Sequence, residues 1–154
     1  MRATVIRHGK VDFQWKKWST SEQFNRDCKM YDESPIFPLK TDTPIINNQN
    51  IYISSLQRSK DTANQLFGEQ DFISTGLLDE VPLCASVFSN KKLPLLFWDV
   101  SARLQWFFNI REDCIIVTHG FFMHTLLSQM KKQAFKISHT RLSYANGECV
   151  IAER

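Results

Sequence analysis

The sequence lacks the features that mark disulfide-stabilised, zinc-binding or membrane-spanning proteins. Its four cysteines, Cys28, Cys84, Cys114 and Cys149, show no C-x-x-C spacing, which argues against a zinc ribbon and a disulfide framework. No apolar run approaches the roughly 20 residues of a membrane helix, and the apolar stretch near the N-terminus is too short for a signal peptide. We therefore expect a cytoplasmic protein with no membrane partner, in which Cys114 and Cys149 are buried thiols.

The chain also has little net charge, and its sequence shows no grouping of charged residues typical of nucleic-acid binding or metal binding. The formal net charge is +3, and the lysine doublets are scattered, so there is no continuous basic stripe of the kind nucleic acid needs. No pair of carboxylates is spaced to hold a divalent cation, so we expect no metal and no other cofactor. With 154 residues, 43% of them hydrophobic, the chain fits one domain, residues 1–154.

Two apolar runs end in the same dipeptide. Residues 3–6 predict a short buried strand, which is followed at once by Arg7-His8-Gly9. Cys114–Thr118 predicts a second buried strand, and it runs into His119-Gly120. Because ligands bind at the carboxyl ends of parallel strands, both histidines are expected at one site.

A third apolar run places a cation at the start of a helix. Residues 51–55 predict a strand, and a helix should begin at residue 56 or 57 and stop at Gly68. Arg58 then falls in the first helical turn, where the helix dipole disfavours a cation. An anion bound by the helix N-terminus and the guanidinium together would explain that placement.

These three segments resemble a known family. With Arg7-His8-Gly9, residues 54–58 (SSLQR) and Thr118-His119-Gly120 at successive strand ends, the chain is similar to the histidine phosphatase superfamily over nearly its whole length. The resemblance implies the phosphoglycerate-mutase-like fold, a three-layer α/β/α domain with a mainly parallel sheet and an antiparallel C-terminal hairpin strand. The alternation of strand and helix patterns agrees with that architecture.

The resemblance also implies roles for the site residues. His8 would attack phosphorus and carry the phosphoryl group as a covalent intermediate. Glu80, in a Leu-x-Glu stretch, would be the general acid, with Asp79 as the fallback. His119, when protonated, would complete a cationic cage around the phosphate. The residues expected to bind the substrate phosphate are Arg7, Arg58, His119, Gln14 and Gly120.

The first loop departs from the family pattern. Family members commonly show Arg-His-Gly-x-Thr/Ser-x-x-Asn, but Val11 stands at the hydroxyl position and Gln14 at the asparagine position. Gln14 keeps an amide donor for the phosphate, whereas Val11 does not. The aromatic residues that follow could line a substrate pocket or cover the core.

Other patterns predict the remaining elements. A helix is expected around residues 19–30, capped by Ser19 or Ser21 with Glu22 completing a capping box. Another helix should follow Pro94, and a further one should begin at Gly120. Residues 142–152 should form two strands around an Asn146-Gly147 turn. The inward-facing residues expected for the last two helices are Phe97, Val100, Leu104 and Phe107, then Phe122, Met123, Leu126, Leu127 and Met130.

Three functions are compatible with this pattern. A phosphomonoesterase acting on a phosphorylated small molecule or phosphoprotein, with phosphohistidine itself as one possible target, agrees with every matched motif. A mutase fits less well, because the chain lacks long insertions that would enclose a bisphosphate. The alternatives are a phosphodiesterase using His8 and His119 as base and acid, and a non-catalytic phosphate-binding module.

Overall fold

The computed structural model describes residues 1–40, 49–80 and 107–154. Across these residues, six strands form one sheet in the order β3-β2-β4-β1-β6-β5. The strands are β1 (Arg2–Arg7), β2 (Asn50–Ser54), β3 (Ile73–Thr75), β4 (Cys114–Thr118), β5 (Lys136–Ile137) and β6 (Cys149–Glu153).

The centre of the sheet is parallel and its C-terminal side is antiparallel. β4 lies between β1 and β2, and all three run in the same direction. Every residue of β4 is buried, as expected for a strand covered on both faces. β6 pairs antiparallel with both β1 and β5. The predicted mainly parallel sheet with an antiparallel C-terminal pairing is confirmed.

Helices cover both faces of the sheet. The helices are α1 (Ser21–Glu33), α2 (Gln57–Phe67) and α3 (Gly120–Lys132), with a 3₁₀ turn at Gly76–Leu78. Because side chains alternate along a strand, Val5 and Ile116 pack with α3, whereas Ile6 and Val117 pack with α2. The α3 residues predicted to face inward are all buried: Phe122, Met123, Leu126, Leu127 and Met130. No helix in these residues is long and apolar enough to cross a membrane.

The predicted cap of the first helix was wrong. Thr20, not Ser19 or Ser21, caps α1, and its hydroxyl accepts a hydrogen bond from the amide of Gln23. Gln23 therefore occupies the position that a capping box requires, and Glu22 does not. The helix itself is confirmed, although it extends to Glu33.

The predicted C-terminal hairpin had the wrong first strand. Residues 142–145 form no strand, and β6 takes β5 as its antiparallel neighbour instead. The turn is present, with Gly147 at φ +77°, but its amide donates to the carbonyl of Arg7 at 3.0 Å. The segment before the turn is thus held against the end of β1. The short edge strand β3 was not predicted, and the helix expected after Pro94 lies outside the described residues except at its end.

Candidate active site

Sheet register places the two histidines side by side. Arg7 on β1 is level with Thr118 on β4, so His8 and His119 both follow directly at the carboxyl edge. The amide of His8 donates to the carbonyl of Thr118 at 2.8 Å. The two imidazole rings lie with their centroids 5.0 Å apart, as the strand patterns predicted.

His8 is a buried, neutral imidazole with a defined tautomer. Its Nδ1 lies 2.7 Å from the carbonyl oxygen of Gly9, which can only accept a hydrogen bond, so Nδ1 carries the proton. Burial lowers the pKa of His8 to about 3, with smaller contributions from the charges of Arg58 and Arg7, while the bond to Gly9 acts in the opposite direction. The lone pair of Nε2 is therefore available near neutral pH.

His119 is neutral with the opposite tautomer. Arg58 donates from Nε to His119 Nδ1 at 3.1 Å, so the remaining ring proton is on Nε2, which lies 2.7 Å from the hydroxyl of Ser54. Burial, followed by the charges of Arg58, His8 and Arg7, lowers the pKa of His119 well below its usual range. The family resemblance suggested that a protonated His119 would complete a cationic cage. The buried environment beside two arginines disfavours that protonated form.

The hydrogen-bond chain continues to Asp79. Ser54 donates its hydroxyl to Asp79 Oδ1 at 2.6 Å, and the amide of Ser55 donates to the same oxygen at 2.7 Å. The Ser55 hydroxyl donates to Asp79 Oδ2 at 2.6 Å. Both carboxylate oxygens of Asp79 are thus engaged in holding the end of β2 and the tautomer of His119.

Glu80 lies at the start of α3. Its Oε2 accepts a long hydrogen bond, 3.4 Å, from the amide of Phe121 in the first turn of α3. The side chain is half-buried. Of the two neighbouring acids, Glu80 is the one whose carboxylate faces the helix N-terminus beside His119.

Arg58 is buried and has an ion-pair partner that the sequence did not suggest. Its Nη1 lies 2.5 Å from Asp32 Oδ1 on α1, and its side chain is 4% exposed. The guanidinium also lies over the ring of Tyr31, 5.0 Å from the centroid. Arg58 therefore bonds to His119 through Nε and to Asp32 through Nη1, and its Nη2 makes no hydrogen bond among the described residues.

Arg7 approaches α3 closely and has an unused donor. Its Nη1 donates to the carbonyl of Tyr144, but its Nε is buried without a hydrogen-bond partner among the described residues. A Cβ on Gly120 would lie 2.8 Å from that Nε and 3.0 Å from Cζ. Glycine is thus required at the first position of α3 for the guanidinium to fit. A buried donor without a partner is costly unless a ligand accepts its hydrogen bond.

Distant segments fix the loop after β1. Thr62 on α2 accepts a hydrogen bond from the amide of Gly9 at 2.9 Å, and Asn146 donates its side-chain amide to the carbonyl of His8 at 3.1 Å. These contacts, and the ion pair between Asp32 and Arg58, join residues that are far apart in the sequence. No local pattern in the sequence pointed to them.

The two positions of the first loop that depart from the family pattern lie apart from the cluster. Val11 is buried and bridges to Ile36, so it belongs to the core. Gln14 is exposed, and among the described residues it makes no hydrogen bond to the cluster. His124 is exposed on α3, and His139 pairs with Glu148 at 2.8 Å, so neither joins the site. In the same parts of the chain, no three His, Cys, Asp or Glu side chains are grouped to hold a metal ion.

Comparison with known proteins identifies the fold. No family model matches the sequence, and a search of curated protein sequences found no match. A phosphoserine phosphatase from Entamoeba histolytica superposes with a TM-score of 0.55 at 15% identity, covering 97% of this chain and 89% of its own. A mycobacterial glucosyl-3-phosphoglycerate phosphatase gives 0.51 at 15% identity, with 97% and 88% covered.

A protein of Thermus thermophilus is similar over the same length, with a TM-score of 0.55 at 12% identity and coverage of 98% and 92%. The two phosphatases have the phosphoglycerate-mutase-like fold of the histidine phosphatase superfamily. The fold implied by the sequence resemblance is therefore confirmed.

Proposed function

We propose that this chain, which has the histidine phosphatase fold, is a single-domain phosphomonoesterase that forms a covalent phosphohistidine on His8. The observation that carries the proposal is the state of His8: its Nδ1–H is bound by Gly9 and its pKa is about 3, so Nε2 holds a free lone pair. Imidazole in that state is a competent nucleophile toward phosphorus. The similar proteins named above are phosphatases of phosphoserine and of glucosyl-3-phosphoglycerate.

Substrate binding would use the unsatisfied donors of the cluster. The Nε of Arg7 has no hydrogen-bond partner among the described residues, and Nη2 of Arg58 remains after its bonds to His119 and Asp32. The N-terminus of α3, beginning at Gly120, adds amide donors. Two guanidinium groups would neutralise the non-bridging oxygens, which is the main electrostatic requirement of phosphoryl transfer.

The first chemical step would form the intermediate. The Nε2 lone pair of His8 attacks phosphorus, the bond from phosphorus to the ester oxygen breaks, and its electron pair stays on that oxygen. Glu80 donates its proton to the oxygen, so an alcohol leaves and the carboxylate is left ionised. Asp79 is less suited to this role, because both of its oxygens already accept hydrogen bonds from Ser54 and Ser55.

The second step would regenerate the enzyme. The Glu80 carboxylate takes a proton from water, whose oxygen attacks phosphorus, and the N–P bond breaks with its electrons returning to Nε2. Inorganic phosphate leaves, and Glu80 is protonated again. We expect turnover to survive a chelator, because the arginines supply the positive charge.

An acid–base phosphodiesterase is disfavoured by the same geometry. That mechanism requires one imidazolium, whereas burial and the nearby arginines lower the pKa of both His8 and His119. A phosphorylated small molecule or a phosphoprotein as the substrate stays a prediction from the sequence. The cytoplasmic location is also a prediction.

The test is hydrolysis of 4-nitrophenyl phosphate combined with quenching in alkaline detergent, which preserves phosphohistidine. We expect the wild type to release phosphate and to yield a base-stable, acid-labile phosphoryl adduct, and His8→Gln to show neither. His124→Gln is the matched control, because that histidine is exposed on α3. Phosphate binding without turnover or adduct would contradict the proposal and indicate a binding module, and turnover without an adduct would indicate direct hydrolysis.

A further inference from the structure

We infer that the substrate is a small phosphomonoester whose alcohol carries an aromatic ring, and that this ring packs on four side chains beside the phosphate site. This inference rests on the proposed phosphatase function and concerns the leaving group. The four side chains, called here the aromatic cluster, are Phe13, Trp15, Phe24 and Tyr31.

The rings of the aromatic cluster contact one another in edge-on and tilted pairs. Trp15 lies 5.1 Å from Phe13, 5.7 Å from Phe24 and 5.2 Å from Tyr31, measured between ring centroids. Phe13 also meets Tyr31 edge-on at 5.8 Å. These separations lie in the range of favourable aromatic pairs, so the rings support one another.

Tyr31 joins the aromatic cluster to the phosphate site. Its ring lies under the guanidinium of Arg58, which itself bonds to His119. Burial raises the pKa of Tyr31, and the charges of Arg58, Arg7, Asp32 and Glu80 also act on its hydroxyl. That hydroxyl is therefore close to the arginines and to the proposed proton donor of the leaving group.

One ring of the aromatic cluster is exposed to solvent. Trp15 is 44% exposed although three rings hold it in place, whereas His8 and Arg58 are each 3% exposed. An exposed ring that neighbouring rings hold in place offers apolar area to a ligand at little conformational cost.

Charge complementarity selects the occupant. A phosphomonoester with an aromatic alcohol has a dianion at one end and a flat apolar group at the other. The guanidinium of Arg58 lies over the ring of Tyr31, so a dianion bound by Arg58 would place its attached aromatic group beside Tyr31. The ring would then lie along Tyr31 and Trp15.

The test compares benzyl phosphate with n-propyl phosphate, because both release a poorly acidic primary alcohol and differ mainly in the ring. We expect wild-type kcat/KM to favour benzyl phosphate, and Trp15→Ala to lower that preference about 3- to 10-fold. Trp15→Phe, which keeps a ring, should retain most of the preference. Trp18→Ala is the matched control, since Trp18 is 86% exposed and lies outside the aromatic cluster.

Three results would overturn the inference. Equal kcat/KM for the two esters in the wild type, or a preference unchanged by Trp15→Ala, would remove the aromatic site while leaving the phosphatase function intact. Absence of turnover with both esters and with 4-nitrophenyl phosphate would instead remove the proposed function, and the inference with it.

Discussion

The two edges of the parallel sheet carry charge in different ways. At the amino edge, Arg2 and Glu153 form an ion pair at 3.3 Å in which both side chains are at least half exposed, and a surface cavity of about 530 Å³ lies beside them. At the carboxyl edge, His8 and Arg58 are 3% exposed and His119 is fully buried.

The difference shows what marks the site in this molecule. The cavity at the amino edge is lined by ordinary surface charges that water already solvates, and exposed pairs of that kind contribute little energy. At the carboxyl edge, burial of titratable groups carries a cost in stability that a structural role alone does not explain. The lowered pKa values of His8 and His119 therefore locate the candidate site better than the size of a surface cavity does.

The largest effect is expected from removing a carboxylate at the carboxyl edge of the sheet, compared with removing one at the amino edge. Glu80→Gln should lower kcat on n-propyl phosphate about 10³-fold, because a poor leaving group needs a proton, and should lower kcat on 4-nitrophenyl phosphate much less. Glu153→Gln at the amino edge should change neither rate. Equal losses on both esters in Glu80→Gln would contradict a general acid at this position.

Acid titration tests the buried histidines. Because the folded pKa of His8 is about 3, only the unfolded chain takes up that proton below about pH 6.5, so stability is lost as the pH falls from there toward 3. His8→Gln should reduce the slope of unfolding free energy against pH in this window by about 1.4 kcal/mol per pH unit. Urea unfolding between pH 4 and 7 measures it.

The control for this titration is a histidine outside the site. His124→Gln should leave the slope as in the wild type, because His124 lies exposed on α3. Identical slopes for wild type and His8→Gln would mean that His8 is accessible to protons in the folded protein.

Steric room at the carboxyl edge can be tested with two glycines. Gly120→Ala places a methyl group against the Arg7 guanidinium, whereas a Cβ at Gly76 meets, among the described residues, only Asp79 Oδ2 at an ordinary 3.5 Å. We expect about a 10-fold fall in kcat/KM for Gly120→Ala and little change for Gly76→Ala. Full activity of Gly120→Ala would show that Arg7 does not need its present position.

The smallest expected effect concerns Asp32. Its carboxylate is ion-paired with Arg58 and would repel a phosphate dianion bound at the same guanidinium, so Asp32→Asn should lower KM for 4-nitrophenyl phosphate about 3-fold. Glu33→Gln, at the neighbouring exposed position, should leave KM unchanged. A rise in KM for Asp32→Asn would instead assign Asp32 to positioning the arginine.

Local patterns predicted the parts of the fold and site that depend on nearby residues. The runs ending at Arg7 and Thr118 and the start of α2 before Arg58 formed the expected elements, because apolar periodicity is a local signal. The partners Asp32 and Asn146 were not predictable, since they meet Arg58 and His8 only through tertiary packing.

The hairpin prediction failed for the same reason. Asn146-Gly147 forms a turn, but the amide of Gly147 donates to the backbone carbonyl of Arg7. The turn therefore does not connect two paired strands. The neutral state of His119 likewise depends on burial, which composition does not reveal.

The position of β1 has a consequence for biosynthesis. Both of its sheet neighbours, β4 and β6, lie more than a hundred residues later in the chain, and Asn146 closes the loop carrying His8. On the ribosome, β1 therefore emerges long before the strands that flank it and stays unpaired until they have been made. We expect the nucleophile to be assembled only after β6 has joined the sheet, so that a nascent chain ending before β6 has no activity.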